Sequence, residues 1–446
     1  KKMTLCAQDA ILKETYLTEL FLDMHCDKNA DGTKNLILPG NELIKRIGKR
    51  IRDRDLVKIA MFLRNHQDVI ALELPYNEIT DCGMSILVNF FKERPVIRYL
   101  NLIGNEIGPR GITYLSEFSE FLPLRTLRLS GNKIGDEGGR LLCKILKLAP
   151  NLKFLDISDT HQSAKGLAYI LSTLIKKKGK PYFLEYIDIS RPLPQTYHQV
   201  PDAHLAEQIS QIVEVNNHLK EIHAENIGFD FRDMEIITEG LFFNKSLICL
   251  NFNNNNIGDD GVEFLCNYLK TCPQLECLMI GANNFSDLGA IALGNALPFS
   301  KIRLLDITRN RITDEGMLRI FYTIKKMEKL RGLFIWGNKI THSSLVVLKQ
   351  LFESKTLDPE HTDVKFNCVD NELRVGWDPR VNRFKSRFYC VSPYGYPPKR
   401  TIKRIPPPSS EPPPIHYRHH VDDVDVGLPL ADWAFEWILP KFVYPL

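Results

Sequence analysis

Several absences bound the reading. Over 446 residues no apolar run approaches the ~20 needed to cross a bilayer as a helix. The chain opens KKMTLC, without the apolar stretch of a secretory signal. Its ten cysteines form no CxxC pair, so the spacing of a zinc finger or a redox dithiol is missing. Cys82, Cys143, Cys249, Cys266 and Cys368 fall instead in core-like positions, the pattern of reduced thiols in an intracellular protein. Neither sign of charge dominates. A net charge of +4 is too dilute at this size for a nucleic-acid footprint, and no membrane or specific nucleic-acid partner is expected. Phosphate loop, nucleophile elbow and HExxH are all missing, so no catalytic residue and no cofactor are predicted. No metal site is predicted either. Cys266, Cys272 and Cys277 divide among a helix, its end and the next strand. His416, His419 and His420 precede Asp422, Asp423 and Asp425 without a diagnostic ligand spacing.

What is present is a recurring sentence. Tyr99–Leu115 reads L-x-L-x-x-N-x-I-x-x-x-G-x-x-x-L. Leu100 and Leu102 alternate as one strand's inward face would. Asn105 can turn its amide onto backbone groups that a bend leaves unpaired. Ile107 returns to the core, Gly111 permits close packing where a helix begins, and Leu115 starts that helix's buried stripe. The Asn slot is placed at Asn41, Asn77, Asn105, Asn132, Thr160, Pro192, Ile227, Asn255, Asn283, Asn310, Asn338 and Asn371, with the tight intervals at 27 or 28 residues. Gly83, Gly111, Gly138, Gly166, Gly261, Gly289 and Gly316 stand six residues past a slot. This is a leucine-rich repeat, and a period of about 28 leaves room for a full helix, as in the ribonuclease-inhibitor type. Units of this kind cannot bury their cores alone. The expected fold is α/β: a right-handed solenoid, or horseshoe, of about twelve units, with a parallel sheet on the concave face and helices outside.

Three regions are expected. Residues 1–35 read as an N-terminal helical cap, with Leu5, Ile11, Leu12, Tyr16, Leu20 and Phe21 at helical spacing up to about residue 26. Residues 36–374 form the solenoid, with its first strand at Leu36–Leu38 and its last at Phe366–Cys368. Residues 375–446 form an extended tail holding thirteen of the 26 prolines, which forbid further helical repeats. Asp27–Leu38 mimics the start of a calcium loop, but Leu38 stands where a bidentate Glu is required, so a polar turn is the better reading. Lys45, Arg46, Lys49, Arg50, Arg52 and Arg54 form a basic run, either a solvated helix face or a site for an anionic partner such as acidic tubulin tails. Around 191–203, Pro192, Pro194 and Pro201 interrupt the helix segment, so a bulge or loop leaves the solenoid there.

The readable surface is the concave one. Residues four and two before each Asn slot point into the bowl. Asp156, Asp188, Asp306 and Phe334 stand in the first of these columns, Trp336 in the second, and Arg309 just before its slot. These six are the candidate partner-binding residues. Phe334 and Trp336 should expose two large rings, unless the tail covers them, and such anchors dominate interface energies. In the tail, Trp433, Phe435, Trp437, Phe442 and Tyr444 are too apolar for a merely solvated end and are read as an anchor, either onto the solenoid or onto a neighbour.

Several non-repetitive stretches narrow the kinship. Ile187–Leu193 (IDISRPL), Phe334–Lys339 (FIWGNK), Asp358–Asp363 (DPEHTD) with Val369–Asp370, and Tyr394–Gly395 resemble the leucine-rich repeat-containing protein 34 family, over about residues 36 to 396. The Pro-rich end departs from that pattern. The resemblance implies a non-enzymatic protein-interaction scaffold in motile cilia or germ cells, with cytoplasmic and nucleolar locations. Its partners would be other proteins, subunits of an axonemal complex in a cilium or sperm flagellum. A GTPase activator like that of Ran, which shares only the repeat, and a nucleolar or cytoplasmic regulator of cell differentiation are the rival readings.

Overall fold

The structure is a computed structural model that describes residues 16–29, 31–149, 151–175, 183–193, 205–327, 330–369 and 372–378. Twelve strands form one sheet in chain order. They are β1 (Cys26–Lys28), β2 (Lys34–Ile37), β3 (Val69–Glu73), β4 (Tyr99–Asn101), β5 (Thr126–Arg128), β6 (Phe154–Asp156), β7 (Tyr186–Asp188), β8 (Glu221–His223), β9 (Cys249–Asn251), β10 (Cys277–Met279), β11 (Leu304–Asp306) and β12 (Gly332–Phe334). From β2 to β12 every pairing is parallel. A helix succeeds each unit's bend, as at Asp81–Glu93, Pro109–Glu117 and Gly258–Leu269. The middle residue of each three-residue repeat strand, such as Leu100, Leu127, Leu155 and Leu250, or Ile187 and Ile222 in β7 and β8, faces the helices and is buried. Packed helices lie 8–10 Å apart and strands about 4.8 Å apart, so the helical side must be the outside of the curve.

The Asn slot does what its chemistry predicts. Asn132 accepts from Ile107 N at 3.0 Å and donates to Leu102 O and to its own Leu129 O, both at 2.8 Å. One amide therefore closes two bends, in neighbouring units. Asn105, Asn255 and Asn338 make the same set, and Asn77 differs only in donating to Pro75 O within its own unit. At Thr160 the hydroxyl donates to Ile157 O and accepts from Gln162 Nε2, both within its own unit. From Asn77 to Asn338 the residue before each slot is left-handed whatever its identity, as Tyr76 (φ 58), Arg191 (φ 56) and Arg309 (φ 53) show. Arg309 tolerates this because its N–H is held by Trp336 O at 2.7 Å in the next unit.

A second ladder runs along the outer side. An Asp in the first turn of one helix accepts from the cap of the next. Asp287 takes Thr313 N at 2.7 Å, Thr313 Oγ1 at 2.6 Å and Gly316 N at 3.0 Å. Asp53, Asp81, Asp136, Asp259 and Asp314 repeat the arrangement in part or in full. This explains the glycines more closely than helix packing does. A Cβ on Gly111 would lie 2.7 Å from Asp81 Oδ1, and one on Gly316 would lie 2.5 Å from Asp287 Oδ1.

Both ends of the sheet depart from expectation. Among the described residues Thr18 caps a short helix, Glu19–Met24, and the chain then enters β1; the part of the helical pattern before residue 16 lies outside them. β1 pairs antiparallel with β2, and Asp31 accepts from Thr33 N and Oγ1 in the intervening turn. The first strand is thus Cys26–Lys28, which covers an edge that would otherwise expose unpaired backbone. Asn41 does not join the ladder. It lies inside the helix Gly40–Ile47 and its amide accepts from Glu42 N. At the far end Phe366–Cys368 is not a further parallel strand. It belongs to β13 (Val364–Val369), antiparallel to β14 (Glu372–Trp377), so strand structure also runs past residue 375. Only Thr362 continues the ladder, bridged to Leu333. Asn371 and the segments 176–182 and 194–204 lie outside the described residues, as does most of the tail. Cys82, placed in a core-like position, is exposed, as is Cys272.

Two outcomes are expected. Replacing Asn132 by Leu should cost about 1–3 kcal/mol, since buried backbone groups in two units lose their partner; thermal or urea unfolding at wild-type stability would contradict the ladder. The second concerns acid. Burial pushes the Asp314 carboxyl up, but the hydrogen bonds from Ser344 and Thr341 outweigh it and hold the group below the usual carboxylate value. A depressed folded pKa contributes stability that is present above the unfolded value of about 3.9 and lost as pH falls through the folded one. Asp314→Asn should therefore lower stability at neutral pH and narrow the gap to wild type below about pH 4. A gap independent of pH would contradict this.

Candidate interaction surface

In each short strand the first and third residues share the inner face, because side chains alternate. The face is a lattice of in-register positions, and its middle is tightly coupled. Arg128 Nε meets Asp156 Oδ2 at 3.3 Å, and its guanidinium lies 6.0 Å from the centroid of Phe154. Phe154 stacks on Tyr186 with centroids 3.7 Å apart and planes at 5°. Tyr186 lies 4.8 Å from the His223 ring. The acids here also fix the backbone: Asp156 accepts from Ser158 N and Oγ, and Asp188 from Ser190 N. Burial pushes the Asp156 carboxyl up and the charge of Asp188 adds to it, with Arg128 opposing. Asp188 is half-buried, so this acidic pair is reachable from the bowl on that side.

A second group sits at the C-terminal end. Asp306 accepts from Thr308 N at 3.1 Å and Oγ1 at 2.8 Å, and Asn253 Nδ2 approaches its other oxygen at 3.3 Å. Arg309 is exposed and Trp336 half-buried. Phe334 departs from expectation: its ring is fully buried. Its strand is flanked by β11 and by the returning segment around Thr362. Asp363 in that segment accepts from Ile335 N at 2.8 Å and Trp336 N at 3.0 Å. Two stretches that carry the family resemblance, FIWGNK and DPEHTD, therefore touch. Between Trp336, Ile340, Leu345 and Arg374 lies a cavity of 760 Å³.

The six candidate residues thus split. Asp156 and Asp188 lie on β6 and β7; Asp306, Arg309, Phe334 and Trp336 lie on or just after β11 and β12. Four strand steps of about 4.8 Å separate β7 from β11, so the two groups do not form one site. The five aromatic tail residues lie outside the described residues. Phe154, Tyr186 and Glu221 escape a sequence reading that takes only positions four and two before the slot. Strand alternation also brings the sixth position before the slot to this face.

The correction at Phe334 is testable. Phe334→Ala should destabilise the fold by about 3–5 kcal/mol, as buried ring deletions do. Trp336→Ala should leave the melting temperature closer to wild type. The reverse order of stabilities would restore Phe334 as a free anchor.

Comparison with known proteins agrees with this geometry. The family described as Leucine Rich repeat matches residues 123–143, 243–266 and 300–321. Leucine-rich repeat-containing protein 34 of Mus musculus is 26% identical over 211 residues, 47% of this chain and 49% of that protein. Ribonuclease inhibitor of Sus scrofa is 23% identical over 329 residues, 72% of this chain and 63% of that protein. The chain spans about half the length of the leucine-rich repeat-containing 34 proteins it matches. The crystal structure of an internalin from Listeria monocytogenes aligns at 18% identity over 77% of this chain and 91% of its own, with a TM-score of 0.38. The strand order and the Asn ladder are those of a leucine-rich-repeat solenoid, and the chain is similar to leucine-rich repeat-containing protein 34.

Proposed function

We propose that the chain is a non-enzymatic protein-interaction scaffold built into a larger assembly, an axonemal one. The observation that carries the scaffold reading is the unbroken in-register face from β3 to β12. Its backbone is fixed by two hydrogen-bond ladders while its side chains vary from unit to unit. The ribonuclease inhibitor it is similar to is named for a protein target, which fits the same use of the face. Asp188, Trp336 and Arg309 are the proposed contacts, while Asp156 and the fully buried Asp306 hold the backbone beside them. The acids favour a partner presenting Lys or Arg, since a paired cation stabilises a carboxylate in a low-dielectric setting. We assign residues 1–35 to the cap, 36–374 to the solenoid and 375–446 to a tail that anchors the protein through Trp433, Phe435, Trp437, Phe442 and Tyr444. The axonemal setting rests on the kinship with leucine-rich repeat-containing protein 34.

The full chain, tagged and expressed in a ciliated cell, should remain with detergent-extracted axonemes and cross-link to their subunits. Deleting 428–446 should leave folded repeats that no longer fractionate with that assembly. Trp336→Ala should weaken the main contact by about 2 kcal/mol or more. Recovery only in the soluble fraction, with cross-links confined to small GTPases, would replace the scaffold by an activator. Aggregation of the truncated chain would make the tail an intramolecular cap.

A further inference from the structure

β8, β9 and β10 place three metal-ligating residues on one rung of the inner face. Glu221 is in register with Cys249, and Cys249 with Cys277. His223 stands two residues along β8, on the same side. Its Nε2 is 3.4 Å from Glu221 Oε2. One ligand atom each from Glu221, His223 and Cys249 falls within 4.8 Å of the others. Cys249 thus faces His223 on one side and, in register on the other, Cys277. All four residues are buried, with Glu221, Cys249 and Cys277 at 0% and His223 at 2% exposure. None of them belongs to the hydrophobic core, which lies on the other side of the sheet.

We propose that Glu221, His223, Cys249 and Cys277 form a closed four-ligand site for zinc. Two thiolates, an imidazole and a carboxylate suit that ion, and four protein ligands leave no open position, so the role is structural: it ties three units across the bowl. The rung geometry favours a metal over a disulfide. Neighbouring strands hold Cys249 and Cys277 about 4.8 Å apart, wider than the ~3.8 Å between Cβ atoms of a disulfide, whereas a bound ion sits between its sulfurs. Loading releases the two thiol protons to solvent. Ligation through Nε2, which faces Glu221, puts the imidazole's remaining proton on Nδ1.

That proton singles out Asn251. Its Nδ2 lies 3.2 Å from His223 Nδ1, while its Oδ1 accepts from Asn253 N at 3.0 Å. The amide thus presents a donor where a metal-bound imidazole needs an acceptor. Three other units carry Asp in this position: Asp156, Asp188 and Asp306. Asn251→Asp would supply a carboxylate that serves both Asn253 N and His223 Nδ1–H, the second-shell partner that raises metal affinity.

The full chain, stripped with chelator and titrated with zinc against a chromophoric competitor, should take up one equivalent, confirmed by elemental mass spectrometry. Cobalt(II) in its place should give tetrahedral d–d bands and thiolate charge transfer. Cys249→Ser with Cys277→Ser should abolish uptake, while Cys266→Ser, a buried helix thiol, should not. Asn251→Asp should bind roughly 10–100-fold more tightly, the range for a gained second-shell contact. If the double variant fails to fold, the wild-type cobalt spectrum and the Asn251→Asp titration decide. No uptake by wild type, uptake kept without both thiols, a cobalt spectrum lacking thiolate bands, unchanged affinity in Asn251→Asp, or Cys249 and Cys277 recovered as a disulfide would each overturn the proposal.

Discussion

Each repeat of this chain bends sharply between strand and helix, and the bend leaves backbone N–H and C=O groups inside the fold. Water cannot reach them, and an unmade buried hydrogen bond costs about 1–3 kcal/mol. The partner is a side chain of the next unit, as when Asn105 takes Ile79 N at 3.2 Å and gives to Leu74 O at 2.9 Å. A single unit is therefore incomplete by construction. Stacking comes from polar satisfaction as much as from apolar burial, and the outer aspartates repeat the logic on the helix caps. In-register strands, a continuous core and an ordered inner face all descend from that dependence.

The ladder is interrupted in the middle of the chain, where the slots hold Thr160, Pro192 and Ile227. The inner face is most elaborate there. The Phe154–Tyr186 stack, the Arg128–Asp156 pair and the Glu221–His223–Cys249 group lie on β5 to β9. Side-chain contacts across neighbouring strands hold these units together where the amide does not. Asn255 compensates at the end of the gap: its carbonyl takes Ile227 N, Gly228 N and Phe229 N together. The same contacts give the bowl a chemistry that differs from unit to unit, which a scaffold needs to select a partner.

Much of this is legible in the residues. The spacing of Asn and Gly gives the repeat, the strand positions and the outward helices, because both residues answer backbone demands that few others meet. The ends are not legible. Lys34–Ile37 pairs both ways, with an antiparallel strand on one side and a parallel one on the other, and nothing in DKNADGTK separates a polar turn from a hairpin. At the other end Phe366 alternates with its neighbours as a repeat strand would, and only the partner strand, Glu372–Trp377, shows the direction of pairing. The outer aspartates carry no distinct signal because Asp is common in first helical turns for electrostatic reasons alone. Phe334 reads as exposed from its column, yet burial at a solenoid's end is decided by the chain that returns beyond the last repeat. Glu221 and Cys249 meet only through strand pairing, across 28 residues of sequence, so no local motif announces them.

The central claim is that inter-unit side-chain hydrogen bonds, rather than each unit's own packing, set the stability of the bends. Native-state hydrogen exchange reads this directly at Ile79 N, Ile107 N and Phe229 N, which donate to Asn105, Asn132 and Asn255 of the adjoining units. These amides should be as protected as the buried strand amides and should exchange through the same cooperative opening. Exchange of these three at the rate of surface turns, with the strands still protected, would contradict the account.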